Sequence, residues 1–184
     1  MREYCLIATK IGPVGLAWSE SGLLRLQLPD YDGASTLARL TRLTRRLEAE
    51  EGHPPQWLEP TVKRLQQYFT GTVTDLSGEP LDFTGVPEFH QVLYREMLKL
   101  GWGETVTYGE LAERVGSPGA AQSVGTAMGR NPLPVIVPCH RVLASGNKLG
   151  GFSAPGGVQT KLAMLEMEGI RLGARNPAQM VFAF

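Results

Sequence analysis

Short apolar runs at 4–9 (YCLIAT), 14–19 (VGLAWS) and 23–28 (LLRLQL) are separated by Gly12-Pro13 and Ser21-Gly22. Strand-length runs divided by turn formers predict a short antiparallel meander. From Ala34 to Glu51 the period changes, with Leu37, Leu40, Leu43 and Leu47 at helical spacing and Arg39, Arg42, Arg45 and Arg46 on the remaining surface. Glu48, Glu50 and Glu51 follow at once, so the arginines read as a solvated face rather than a nucleic-acid contact. Pro60 predicts the start of a second helix with Val62, Leu65 and Phe69 inside and Gly71 at its end. The stretch 71–87 then loses helical period and gathers Gly, Pro, Ser and Thr around one strand-like piece, LDFT, which makes about 71–86 the linker.

Beyond Pro87 the pattern turns helical. Phe89, Val92, Leu93, Met97 and Leu100 mark one helix ending at Gly101, and Tyr108 to Val115 a second. Gly116-Ser117-Pro118-Gly119 breaks the chain before AAQSVGTAMGR at 120–130, the outline of a helix-turn-helix. Ala120, Ala121, Ser123, Gly125 and Ala127 leave that last helix lean on one side, so something must approach its backbone closely. A neighbouring helix is one answer, and a groove of DNA, even the narrow minor groove, is the other. The predicted fold class is α+β: an N-terminal α/β domain with a short antiparallel sheet over 1–85, and a mainly helical domain with a helix-turn-helix over 86–184.

Composition narrows the setting. Apolar residues make up 42% and charged residues 20%, with no run long enough to span a membrane and no leader pattern, which predicts a soluble cytoplasmic protein. The formal net charge of zero argues against coating nucleic acid through charge alone. Residues 1–85 carry 9 basic against 11 acidic side chains and 86–184 carry 9 against 7, which places any DNA-facing surface in the second half. The two cysteines, Cys5 and Cys139, lie far apart without a disulfide or CxxC pattern, so one of them is free to be a working thiol.

Cys139 has the more informative surroundings, in Asn131-Pro132-Leu133-Pro134-Val135-Ile136-Val137-Pro138-Cys139-His140-Arg141-Val142. The β-branched run between prolines predicts a short, buried, rigid strand that delivers the thiol. Thiolate is the reactive form and is scarce at neutral pH for an ordinary cysteine, so an adjacent base such as His140 is the natural activator. An acid to orient the imidazole is available at Glu166 or Glu168, and spacing does not choose between them. The competing reading makes Cys139 a small buried apolar residue and His140 a satisfied core histidine. Cys5, Cys139, His53, His90 and His140 show no zinc-ligand spacing, and neither metal nor cofactor is predicted.

PCHRV at 138–142, preceded by GRNPLPVIV and followed by a glycine-rich loop and a K-x3-L-x2-EG pattern ending at Glu168-Gly169, resembles the O6-alkylguanine-DNA alkyltransferases. Non-catalytic relatives carry tryptophan at the position of Cys139, so the resemblance points to the active branch. It implies direct, irreversible and stoichiometric transfer of an alkyl group from O6-alkylguanine, with O4-alkylthymine as a second substrate, to Cys139. The alternative it leaves open is a non-catalytic sensor that flips the damaged base and recruits other factors. The implied partner is double-stranded DNA held through its minor groove, with the protein a monomer and no membrane involved.

The resemblance also implies roles. Cys139 is the acceptor, His140 the base acting through a water, Glu168 rather than Glu166 the orienting acid, Asn131 the bridge of the thiol's turn, and Tyr108 the partner of the extruded base. Val142 and Ser153 would line the guanine pocket through backbone groups, Met128 and Pro134 as apolar walls, with Phe152 where tyrosine is frequent. The DNA-binding set is Ala120, Ala121, Gln122, Ser123, Gly125 and Arg130. Gln122 departs from the family's usual arginine, which predicts weaker capture of extruded bases, offset in part by Arg130 or Arg114. The loop Gly150–Gly157 is two residues longer than the short-turn form. Arg2 and the tail after Gly173 are assigned no role.

Overall fold

The computed structural model describes residues 1–172, so the tail after Gly173 lies outside the described residues. β1 (Arg2–Thr9), β2 (Gly12–Ser19) and β3 (Gly22–Gln27) form the antiparallel meander that the apolar runs predict. Gly22 is needed twice over at the second turn. Its φ of 144° disfavours any side chain, and a Cβ there would lie 2.6 Å from the Pro80 carbonyl oxygen.

α1 (Gly33–Thr44) begins at Asp32, whose carboxylate accepts from the Ser35 amide at 2.7 Å. It is shorter than the expected 34–51 helix, and its buried strip is Thr36, Leu40 and Thr44 rather than four leucines. The threonine hydroxyls donate back to the Asp32 and Leu40 carbonyls, which lets them sit in an apolar interface. The next position on that strip is Glu48, and burying it would be costly. The chain instead makes a 3-10 turn at Arg45–Leu47, takes a left-handed Glu48 (φ 51°), and adds β4 (Glu50–Glu51) parallel to β1. Sheet order is β3-β2-β1-β4.

α2 (Glu59–Tyr68) starts around Pro60 and buries Thr61, Leu65 and Tyr68, with Phe69 buried just beyond it. The segment 71–87 is docked rather than loose. Leu76 and Glu79 are buried, Pro80 accepts from the Leu23 amide at 2.8 Å, and the Asp82 amide donates to the Leu23 carbonyl at 2.8 Å.

α3 (Glu88–Met97) buries Leu93, Tyr94 and Met97, whereas Val92, expected on the inner face, is 41% exposed. β5 (Val106–Thr107) leads into α4 (Tyr108–Arg114), opened by a reciprocal cap between Thr107 and Glu110. Gly116 and Gly119, both at positive φ, turn the chain into α5 (Ala121–Gly129), and the two helices pack as a helix-turn-helix. A 3-10 turn at Cys139–Arg141 runs into β6 (Val142–Leu143), parallel to β5, and α6 (Gly157–Met167) packs on that turn.

One core extends from Leu16, Trp18 and Leu23 of the sheet through Leu65 and Tyr68 to Leu93, Val124, Val137 and Met164. Among the described residues no helix is long and apolar enough to cross a membrane.

Candidate active site

The segment before the thiol is buried as expected but is not a strand. Val135 and Ile136 form a turn whose ends, Pro134 and Val137, make an isolated bridge, and the Val137 amide donates to the Leu133 carbonyl at 2.8 Å. Val135 takes a φ of 78°, an unfavourable conformation for a β-branched residue. Asn131 holds it there: its Nδ2 donates to the Val137 carbonyl at 2.8 Å and its Oδ1 accepts from the Leu133 amide at 2.9 Å. Pro134 and Pro138 supply no amide for a ladder, which is why β-branched composition does not produce a strand here. Pro138 (φ −79°, ψ 62°) then centres an inverse γ-turn closed by the Cys139 amide on the Val137 carbonyl at 2.8 Å.

Cys139 lies at the floor of an open cavity of about 930 Å³, with 6% of its surface exposed. Tyr108 of α4, Gln122, Gly125 and Met128 of α5, and Phe152 and Ser153 of the following loop line it. Ala121 also lines this space. Pro134 and Val142 do not: Pro134 belongs to the turn behind the thiol, and the Val142 carbonyl is engaged by Lys161 at 2.6 Å. Ala120 is half-buried at the α5 N-cap, and Ser123 and Arg130 are exposed away from the cavity lining. The Ser153 hydroxyl donates to the Gly129 carbonyl at 3.0 Å and so anchors the loop to the end of α5.

Behind the thiol, His140 is fully buried and its Nε2 lies 2.8 Å from Glu168 Oε1. Glu166 lies instead on the other face of α6, in a separate cleft. A carboxylate only accepts, so Nε2 carries the proton and Nδ1 presents a lone pair. That Nδ1 is buried without a hydrogen-bond partner among the described residues. Burial pushes the imidazole below its ordinary pKa, aided by the Arg141 and Lys161 charges and opposed by Glu168, so it is a neutral base at neutral pH. Burial alone would raise Glu168, but hydrogen bonds from His140 and Arg141 outweigh it and hold the carboxyl at about 2. Burial pushes the Cys139 thiol up, and the Asn131 side chain and the Lys161 charge pull it back.

Three members of this network were not anticipated. Arg141 donates from Nε and Nη2 to Glu168 at 2.7 and 2.9 Å and from Nη1 to the Leu100 carbonyl. Tyr68, at the end of α2, donates to Glu168 at 2.7 Å and lies 3.3 Å from His140 Nε2. Lys161 on α6 is fully buried. Arg141 and Lys161 stand inside the motifs already noted, and a charged residue in an apolar setting was the available signal. Tyr68 carried none.

Residues 3–83 match the 6-O-methylguanine DNA methyltransferase ribonuclease-like domain, and residues 88–170 match the DNA-binding domain of the same proteins. The methylated-DNA--protein-cysteine methyltransferase of Mycobacterium bovis is 37% identical over 177 residues, 95% of this chain and 96% of that protein. The chain belongs to the 6-O-methylguanine DNA methyltransferase family. Among solved structures, the O6-methylguanine methyltransferase of Mycobacterium tuberculosis superposes with a TM-score of 0.73 at 35% identity, over 95% of this chain and 97% of that one. The M. tuberculosis OGT in complex with DNA gives a TM-score of 0.73 at 34% identity, over 91% and 93%. In this family member, the exposed Gln122 and the lean face of α5 border the same cavity that ends at Cys139.

Proposed function

We propose that this chain repairs alkylated DNA directly, by moving the alkyl group of O6-alkylguanine, and of O4-alkylthymine, onto Cys139. The observation that carries this reading is the position of the thiol, at the floor of an open cavity bordered by α5 and backed by His140 and Glu168. Guanine stacked in a duplex hides its O6 substituent from in-line attack, so the nucleotide must leave the stack and enter such a cavity. The methylated-DNA--protein-cysteine methyltransferase names of its relatives and the DNA complex of one of them support the same reading.

His140 Nδ1 takes the thiol proton through a water. Sγ attacks the alkyl carbon, the C–O6 bond breaks with its electron pair on guanine, and the proton held by His140 passes to the departing guanine, leaving His140 neutral again. The products are a thioether and unmodified guanine, a balance that calls for no cofactor. Tyr108 and the backbone of the Ser153 loop contact the extruded base, and Met128 and Phe152 form apolar walls. Nothing in that balance regenerates the thiol, so each molecule acts once. The protein works as a monomer on duplex DNA held through its minor groove, in the cytoplasm, with residues 1–85 as one domain and 86–184 as the DNA-binding one.

Incubation with an O6-methylguanine duplex oligonucleotide tests this by intact mass. One methyl on Cys139 per molecule, absent in Cys139→Ala, is the expected result. Binding without any mass gain would instead make the chain a sensor of alkylated guanine.

A further inference from the structure

The Lys161 ammonium is withdrawn from solvent, and among the described residues its hydrogen-bond partners are the Val142 carbonyl oxygen at 2.6 Å and that of Gly151 at 3.4 Å, with the Tyr108 ring centroid 5.9 Å away. Among the described residues no carboxylate lies within ion-pair distance of it. Glu168, the buried carboxylate of the site, is already matched by Arg141. A desolvated cation without a counter-charge is strongly disfavoured, so this position calls for an anion. The neighbouring acidic group is Cys139: a thiolate there would raise the Lys161 pKa, and the Lys161 charge lowers that of the thiol.

The charges around the sulfur make the same point. Glu168 is negative, Arg141 and Lys161 are positive and His140 is neutral, so the cluster carries excess positive charge while Cys139 is a thiol and is balanced once it is a thiolate. We propose that Lys161 is the positioning cation of the nucleophile, stabilising the Cys139 thiolate through space while its bonds to the Val142 and Gly151 carbonyls tie the thiol's turn to the wall of the cavity. The proposal rests on Cys139 being the nucleophile. It divides the activation between two residues: His140 takes the proton, and Lys161 holds the charge that the proton leaves behind.

Burial lowers Lys161 to about 8, against the attraction of Cys139. Below that pH the cation is present and offsets part of the burial that pushes the thiol up; above it that support is lost. The titratable groups facing Lys161 are Cys139 and His140 of the 3-10 turn and Tyr108 of α4.

The test uses the full chain without DNA. The rate of Cys139 alkylation by iodoacetamide is followed against pH in the wild type, Lys161→Met and Lys161→Arg, with peptide mass counting Cys5 separately and urea unfolding measured for each. Lys161→Met is expected to displace the profile to higher pH, slowing the reaction about tenfold near neutrality while reaching the same alkaline plateau. Lys161→Arg keeps most of the neutral rate. Profiles that superimpose overturn the proposal, as does an equal slowing at every pH in both variants with a matching loss of stability. Should Lys161→Met not fold, the Lys161 side-chain carbon signal is titrated by NMR in the wild type and in Cys139→Ser. Lys161 then deprotonates at a lower pH without the thiol, and equal midpoints overturn the proposal. Failure to repair DNA would leave all of these readings unaffected.

Discussion

Four donors converge on one carboxylate: Tyr68 Oη, His140 Nε2, and Arg141 Nε and Nη2 all lie within 2.9 Å of Glu168 oxygens. Glu168→Gln leaves the Arg141 guanidinium buried without its counter-charge, and denaturant unfolding is expected to show a loss of about 3–5 kcal/mol. Tyr68→Phe removes one neutral donor to a charged acceptor and is expected to cost about 1–2 kcal/mol by the same measurement.

The depressed Glu168 carboxyl also sets an acid limit. Folding holds it at about 2 against an ordinary 4.5, so its contribution is complete above the ordinary value and drains away as pH falls from 4.5 toward 2. A melting temperature followed across that window should fall in the wild type and fall less steeply in Glu168→Gln. The exposed Asp32 and Asp75, also held low by hydrogen bonds, supply part of the remaining slope.

At this scale the contiguous part of the site was readable from sequence. Cys139 and His140 are neighbours, and Asn131 and Glu168 sit at fixed places in recognisable motifs. Tyr68 was not, because it joins the site from 72 residues upstream of His140 and helical periodicity does not show where a hydroxyl points.

Among the elements, α5 is the one whose sequence trades stability for a lean surface. Gly125 sits inside the helix, and an added Cβ would meet Tyr108 only at 3.9 Å, an ordinary contact. Gly125→Ala is therefore expected to stabilise the fold by about 0.5–1 kcal/mol in thermal or urea unfolding, while weakening binding to duplex DNA in a fluorescence titration. Gln122→Arg, on the exposed face beside the cavity, is expected to speed repair of duplex substrate several-fold and leave single-strand repair little changed. An unchanged duplex rate would mean that Gln122 already serves the helix adequately.

Element type followed the periodicity closely in the meander, α2, α4 and α5. It failed where tertiary packing decided the outcome. α1 stops before it would bury Glu48, and the Val135-Ile136-Val137 run bends because Asn131 and two prolines leave it no ladder to join.

At the scale of the molecule, the connector that composition marked as a linker is part of the packing, since Gly22 leaves room for the Pro80 carbonyl and Leu76 and Glu79 are buried. Composition detects the lack of regular structure but not the lack of freedom. β3 is closed along its outer side by carbonyls from Pro80 and Pro132, accepting from Leu23 and Leu26 at 2.8 and 2.9 Å. Both residues are prolines, which have no amide hydrogen with which to carry a ladder further. The other side ends in β4, two exposed glutamates.

A protein of zero formal net charge has little long-range repulsion to keep its copies apart. Colloidal stability then falls to local features, and a sheet whose Leu23 and Leu26 amides are taken on one side and which carries two exposed carboxylates on the other resists strand-to-strand association. Replacing Glu50 and Glu51 by valine should accordingly leave the site intact while static light scattering shows growing assemblies at concentrations where the wild type stays dispersed.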